Sequence, residues 1–169
     1  MRRFAALFVS MLPFAAIAAD IPDLAFYRDA AEGGLAEVAM GTMAQQQAQS
    51  QSVREFGALM VKDHSAANEK LKAIAASKNI TLPANTSVDE MAAKEKLKAL
   101  SGSSFDKSYI KGMIKDHQED IAEFKKEAAS GRDPDARAFA AATLPTLEAH
   151  LKRIQSIAAQ AGVSADKAD

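Results

Sequence analysis

The sequence contains no cysteine and no tryptophan among its 169 residues. Without cysteine, the fold cannot be stabilised by disulfides and thiolate chemistry is excluded. Long runs of β-branched residues are also missing, whereas alanine, lysine, glutamate and glutamine are abundant. This composition is typical of an all-α protein.

The chain also lacks a strong charge of either sign. It carries 21 basic and 22 acidic residues, for a formal net charge of −1. This balance gives no electrostatic footprint for nucleic acid, which is therefore not an expected partner. No phosphate-binding glycine loop and no pairing of a nucleophile with a base is present either. Gly33 and Gly34 lie inside a helical pattern, where close helix packing explains them better.

No hydrophobic run is long enough for a membrane span. The apolar run from Phe4 to Ile17 is shorter than the about 20 residues that a transmembrane helix needs. Arg2 and Arg3 precede it, and the small residues at 16–18 follow it as a cleavage site. These features predict a signal peptide at 1–19 and a mature, periplasmic protein without a membrane anchor. Removal of the two arginines changes the net charge from −1 to −3.

Capping residues and apolar spacing predict four long helices, at about 22–49, 52–78, 103–131 and 134–162. A capping box from Ser52 to Glu55 opens the second helix. Asp133 and Pro134 are suited to the N-cap and first positions of the fourth helix. The bundle domain is predicted to span 20–162, followed by a disordered tail at 163–169.

The connection between the second and third long helices, 79–103, is too long for a tight hairpin. Asn79 is suited to the left-handed conformation that ends a helix. A second capping box, from Ser87 to Glu90, opens a short helix within the connection. The sequence therefore predicts an all-α, ferritin-like four-helix bundle with a long helix 2–3 connection that contains a short extra helix.

His64 and His117 are predicted to lie on the apolar faces of their helices, and His150 at the edge of such a face. Two of them end a near-repeat, MVKDH at 60–64 and MIKDH at 113–117. At a rise of about 1.5 Å per residue, His64, His117 and His150 lie within about one turn of the middle of their helices, and Glu37 does the same on the first helix. One inward polar side chain from each helix predicts a metal site with these four residues as ligands. Imidazole and carboxylate suit zinc, iron or copper.

Other acidic residues and two methionines flank this predicted site. The carboxylates that could orient a ligand from outside are Asp63, Asp116, Asp120 and Glu148. Asp63 and Asp116 could instead be solvated and paired with neighbouring lysines. Met60 and Met113 each lie four residues before a histidine, as copper ligands or as core filling. A lone histidine on an apolar face is also compatible with simple packing.

Several segments resemble a family of exported bacterial proteins, domain of unknown function 4142, which is grouped with ferritin-like folds. They are 31–38 (AEGGLAEV), 56–65 (FGALMVKDHS), 113–117 (MIKDH) and 143–150 (TLPTLEAH), together with Ser101, Gly102, Phe105, Asp106 and Tyr109. The resemblance covers about 26–157. It implies a ferritin-like bundle and export, but no known reaction.

The di-iron proteins of the ferritin-like group carry a glutamate three residues before a ligand histidine. Here those positions hold Val61, Ile114 and Leu147. Iron oxidation and oxygen activation by two bridged irons are therefore not expected.

Three functions remain open at the level of sequence. The first is a binding module with a metal site in the middle of the bundle. The second is a divergent metalloenzyme that acts on peroxide or oxygen species, and the third is a purely structural or stress-related envelope bundle. No catalytic residue and no residue for an organic cofactor is predicted. An envelope partner or a homo-oligomer is left open.

Overall fold

The computed structural model describes residues 21–164. Its five α-helices are α1 Leu24–Gln47, α2 Gln51–Ser77, α3 Val88–Lys98, α4 Gly102–Ser130 and α5 Pro134–Ala161. They confirm the predicted fold class, including the short helix in the long connection. The predicted signal peptide, 1–19, and residues 165–169 of the predicted tail lie outside the described residues. Val163, at the start of that tail, still packs against the core.

The bundle consists of two helical hairpins. Helices α1 and α2 pack along each other, as do α4 and α5. Short connections at 48–50 and 131–133 make each pair antiparallel. The connection 78–101 joins the two hairpins, and its helix α3 lies against α1 and α4. Within 21–164, no helix combines the length and the apolar character that a membrane span requires.

The predicted start of α2 is wrong by one residue, and its cap differs from the expected one. Helix α2 begins at Gln51 after Ser50, and neither Ser50 nor a Ser52–Glu55 box caps it. Instead, the backbone amides of Gln49 and Ser50 donate to the carboxylate of Asp106, at 3.0 and 2.8 Å. Asp106 of α4 thus accepts from two backbone amides at the start of α2. A local sequence motif could not indicate this long-range partner.

Three other predicted helix-end signals are confirmed, whereas α1, Leu24–Gln47, is two residues shorter at each end than the predicted 22–49. Asn79 has a φ of 57° after α2, in the left-handed region. The hydroxyl of Ser87 accepts from the amide of Glu90 at 3.1 Å and caps α3. Asp133 caps α5 by accepting from the amide of Asp135 at 2.9 Å.

The apolar core is divided into two clusters. Phe56, Tyr109 and Ile154 belong to one cluster, whereas Phe26 and Phe124 belong to the other. Along each long helix, the buried residues change from one cluster to the other around the positions of the four buried polar residues Glu37, His64, His117 and His150. A polar layer therefore crosses the middle of the bundle, as the helix registers predict.

Helices α1 and α2 approach each other most closely at two glycines. A Cβ atom at Gly41 would lie 2.7 Å from the carbonyl oxygen of Gly57, and one at Gly57 would lie 2.6 Å from that of Gly41. No side chain fits between the two backbones here. Because Gly41 and Gly57 lie one to two turns from Glu37 and His64, this crossing sets the spacing of the polar layer on these two helices.

Candidate metal centre

Three histidines from three different helices meet in the polar layer. His64 of α2, His117 of α4 and His150 of α5 are 6%, 0% and 2% exposed. Their ring centroids form a nearly equilateral triangle with sides of 5.7, 5.4 and 5.4 Å. The imidazoles are therefore close to one another and shielded from water.

One ring nitrogen of each histidine points towards the others. The three nitrogens all lie within 4.8 Å of one another, and they are the only such group of potential metal ligands found within 21–164. The distance from Nε2 of His117 to Nδ1 of His150 is 3.4 Å. A metal ion with bonds of about 2.0 Å to two imidazole nitrogens holds those nitrogens about 3.3–3.5 Å apart. This side of the triangle already has the spacing that a shared metal requires.

The other nitrogen of each ring is held by a fixed partner outside the triangle. Nδ1–H of His117 donates to the backbone carbonyl of Met113 at 2.9 Å. Nε2–H of His150 donates to Oδ2 of Asp63 at 3.0 Å. Nδ1 of His64 lies 2.5 Å from Oε2 of Glu37, within hydrogen-bond distance. Such contacts fix the orientation and tautomer of ligand histidines in metal sites.

Burial keeps these histidines neutral. It lowers the pKa of His64 to about 4, and it lowers the pKa of His117 to about 3 with the help of the two neighbouring imidazoles. The pKa of His150 is also lowered by burial, against the opposing effect of Asp63. Neutral imidazole is the form that binds metal, because the protonated ring has no free lone pair.

Because the rings are neutral and their outer nitrogens have fixed partners, the protonation state of the inward nitrogens follows. Because His117 carries its single proton on Nδ1 and His150 carries its own on Nε2, Nε2 of His117 and Nδ1 of His150 are both unprotonated. Two hydrogen-bond acceptors thus face each other at 3.4 Å. Nε2 of His64 is also buried and has no hydrogen-bond partner. Unsatisfied buried nitrogens are costly, and a cation among them would satisfy them.

Glu37 lies in the polar layer but not in the ligand triangle. Its carboxyl contacts outer nitrogens, Nδ1 of His64 at 2.5 Å and Nδ1 of His117 at 3.5 Å. Burial and the carboxylates of Asp116 and Glu90 raise the pKa of Glu37 well above its usual value. Glu37 thus contacts two of the histidines from outside their triangle, and its role as fourth ligand stays a prediction.

The four flanking carboxylates take different places. Asp63 contacts His150 as well as Lys62, so that it combines both of the roles considered for it. Asp120 is partly buried near Glu37 and His64, and burial and Glu37 raise its pKa well above the usual value. The pKa of Asp116 is raised to about 7 by burial and by Glu90.

Glu148 is not brought to the centre. Its side chain is half exposed, and its carboxylate pairs with Lys125 at 2.8 Å on the surface. Glu148 lies two residues before His150, which is a rotation of about 200° around the helix axis. Its side chain therefore points away from the bundle axis.

Two neighbours of the histidines were not predicted. The ring of Phe56 lies 6.2 Å from that of His117 and 6.3 Å from that of His150, between centroids, and forms an apolar boundary of the site. The carbonyl of Met113 holds His117, a backbone role that residue type cannot signal. The side chains of Met60 and Met113 are both fully buried in the apolar cluster.

The cavity that reaches His64 is small. It has a volume of about 20 Å³ and is also lined by Asp120, Gly34 and Thr143. About one water molecule fits into such a space. An organic substrate could not reach the histidines through it.

A family model described as Domain of unknown function (DUF4142) matches residues 12–157. No curated protein sequence matches the chain closely enough to suggest a function.

Solved structures of other proteins have the same fold. A DUF305 protein from Streptomyces coelicolor superposes with a TM-score of 0.75 at 15% identity, covering 89% of this chain and 100% of that one. A DUF305 fragment from Deinococcus radiodurans gives a TM-score of 0.72 at 12% identity, with 82% and 95% covered. CopM in its Cu(I)-bound form gives 0.69 at 17% identity, with 83% and 98% covered. At these identities the likeness shows the fold alone.

Proposed function

We propose that this chain, which belongs to the family described as Domain of unknown function (DUF4142), is a metal-binding module of the bacterial envelope. His64, His117 and His150 would hold one ion in the middle of the bundle. The observation that carries this proposal is the 3.4 Å approach of two unprotonated imidazole nitrogens beside a third that has no partner. The predicted signal peptide supports the location.

The donor set favours a soft monovalent ion, Cu(I) or Ag(I). The three imidazoles are neutral and almost inaccessible to water. Transfer of an ion into such a site costs less for one positive charge than for two, since the desolvation free energy rises with the square of the charge. Imidazole suits copper, and the chain has no cysteine that could compete for it.

The comparison with CopM supports the same class of metal. CopM has been solved in a Cu(I)-bound and an Ag-bound form, and both share the fold of this chain. Zinc and iron, the other metals that the sequence suggested, carry at least two positive charges in their usual states, so that their transfer into this uncharged site costs more. The cavity of about 20 Å³ beside His64 supports binding over turnover of an organic substrate.

Competition with a chromophoric Cu(I) chelator tests the proposal. The untagged protein should take up one equivalent of Cu(I), and the His150→Ala variant, which keeps two of the three imidazoles, should bind it much more weakly. The Asp63→Asn variant should bind about 10- to 100-fold more weakly, because the outer nitrogen of His150 loses its carboxylate partner.

Glu69→Gln serves as the matched control for Asp63→Asn. Glu69 is an acidic residue of the same helix, and its exposed side chain lies at the surface next to Lys72. This variant should bind as the unmodified protein does. Absence of Cu(I) uptake, or uptake that His150→Ala leaves unchanged, would refute the proposal.

A further inference from the structure

A second cavity lies between α1, α3 and α4. Its volume is about 370 Å³, and it is lined by both thioether and carboxylate side chains. It is separate from the small cavity beside His64, and none of the three histidines lines it. Both kinds of side chain are potential ligands of a cation.

The thioethers belong to Met40 of α1 and Met113 of α4. Both line the cavity, although they are only 5% and 0% exposed, so they lie at its inner end. Met113 is also the residue whose backbone carbonyl accepts a hydrogen bond from Nδ1–H of His117 at 2.9 Å. One helical turn therefore joins the inner end of the cavity to the histidine centre.

Acidic residues outnumber basic ones around this cavity. Asp89 and Glu90 of α3 and Asp116 of α4 line it. Two lysines line it as well, and one of them, Lys115, is held by Glu119 at 2.8 Å. The lining thus presents three carboxyl groups against two amines, which favours a cation over an anion in this cavity.

An unsatisfied hydroxyl provides an independent sign of a ligand. Tyr109 lines the same cavity and is 1% exposed, and its hydroxyl has no hydrogen-bond partner. A buried hydroxyl without a partner is destabilising in the absence of a bound group. A hydrated cation in the cavity would provide water as the partner.

Helix α3 covers the cavity with few anchoring contacts. Leu97 is the only buried residue among its eleven. Val88 and Met91 are 77% and 40% exposed. Little apolar area therefore holds α3 on the bundle, and its displacement costs less than that of a long helix.

We propose that this cavity is a loading site, in which Glu90, Asp116, Met40 and Met113 receive a soft monovalent ion and pass it to the three histidines. The inference rests on the proposed function and adds the route by which the ion reaches a centre that is closed to water. Soft thioethers suit Cu(I) and Ag(I). The ion keeps its single positive charge throughout, so no oxidant or reductant is needed.

The rate of Cu(I) transfer from a chromophoric chelator to the metal-free protein tests the route. Stopped-flow absorbance gives the rate, and the end point gives the final distribution of the ion. Glu90→Gln and Met40→Leu should each slow transfer about 3- to 10-fold, because steering and the thioether step are weakened. The end point should be unchanged, since the histidines are intact.

Two controls match these variants. Glu95→Gln removes another carboxylate of α3 whose exposed side chain lies near Lys98, and Met43→Leu changes a partly buried methionine of α1 that does not line the cavity. Both should transfer at the unmodified rate. Unmodified rates in Glu90→Gln and Met40→Leu, with the histidine centre filled, would overturn the loading site alone. Absence of any filled centre would overturn the proposed function as well.

Discussion

At the scale of single residues, the centre depends on which nitrogen of each imidazole carries the proton. A backbone carbonyl, an aspartate and a buried glutamate hold the outer nitrogens of His117, His150 and His64. The inner nitrogens converge because the three outer partners lie on different helices around the bundle axis. The arrangement resembles metal sites in which a hydrogen-bond partner on the non-ligating ring nitrogen orients each ligand histidine.

Protonation of the histidines provides the first prediction. In the metal-free protein, the imidazole signals of His64 and His117 should not titrate between pH 5.5 and 8, because burial lowers their pKa values from 6.5 to about 4 and about 3. The unfolded chain takes up these protons below about pH 6.5. The stability that the two neutral histidines contribute is therefore fully present above pH 6.5 and is lost as the pH falls towards 4. Nuclear magnetic resonance of the Cε1 protons measures this directly, and a midpoint near 6.5 for His117 would contradict it.

The pairing of Glu37 with His64 provides the second prediction. His64→Leu should destabilise the metal-free protein by about 1–3 kcal/mol, since it leaves a buried carboxyl group without its main partner. Adding Glu37→Met should recover part of this loss, because an apolar pair replaces the polar one. Urea denaturation with a chelator present gives the free energies of unfolding. A His64→Leu variant as stable as the unmodified protein would show that the pair is not needed.

The sequence predicted which residues form the polar layer but not the role of each. Residue type and helix register place His64, His117, His150 and Glu37 at one level. They do not determine ring rotation, and a rotation decides whether Glu37 meets an inner or an outer nitrogen. Asp63 is a second example. Whether it contacts a histidine or only a lysine depends on the position of His150, which is 87 residues away in the sequence.

At the scale of elements, helix ends that depend on local residues could be predicted from the sequence, whereas an end that depends on a long-range contact could not. The caps at Ser87 and Asp133 and the left-handed Asn79 are local, and the sequence predicted them correctly. The start of α2 was wrong because its amides at 49 and 50 donate to Asp106, which is more than 50 residues away in the chain. Motif reading has no information about such a partner.

The crossing of α1 and α2 provides the third prediction. Gly57→Ala should destabilise the protein by about 1–3 kcal/mol, because the added Cβ would meet the carbonyl oxygen of Gly41 at 2.6 Å and the backbones would have to separate. Gly112→Ala is the matched control. Apart from its chain neighbours and the backbone of its own helix, no atom lies within 4 Å of a Cβ at Gly112 in α4, so this change should stabilise the helix by about 0.5–1 kcal/mol.

Chemical denaturation of both glycine variants provides the measurement. The two substitutions add the same methyl group to long helices, so that a difference in sign isolates the close approach of α1 and α2. Equal effects of the two changes would mean that the crossing tolerates a side chain.

At the scale of the whole molecule, the bundle is two apolar clusters separated by a polar layer of nearly neutral groups. The apolar periodicity was sufficient to predict the bundle, because each long helix needs a partner for its buried face. It could not predict the cavity under α3, since that space depends on how a short, mostly exposed helix sits across α1 and α4. In the proposed scheme, the ion would be bound by the histidines in the middle of the bundle and loaded through the cavity under α3.

X-ray absorption spectroscopy of the protein loaded with one equivalent of Cu(I) is the most direct test of the central claim. We expect a copper ion bound by three imidazole nitrogens at about 2.0 Å, with one fewer imidazole in the His150→Ala variant. A first shell dominated by sulfur or oxygen, or an imidazole count that His150→Ala does not change, would contradict it.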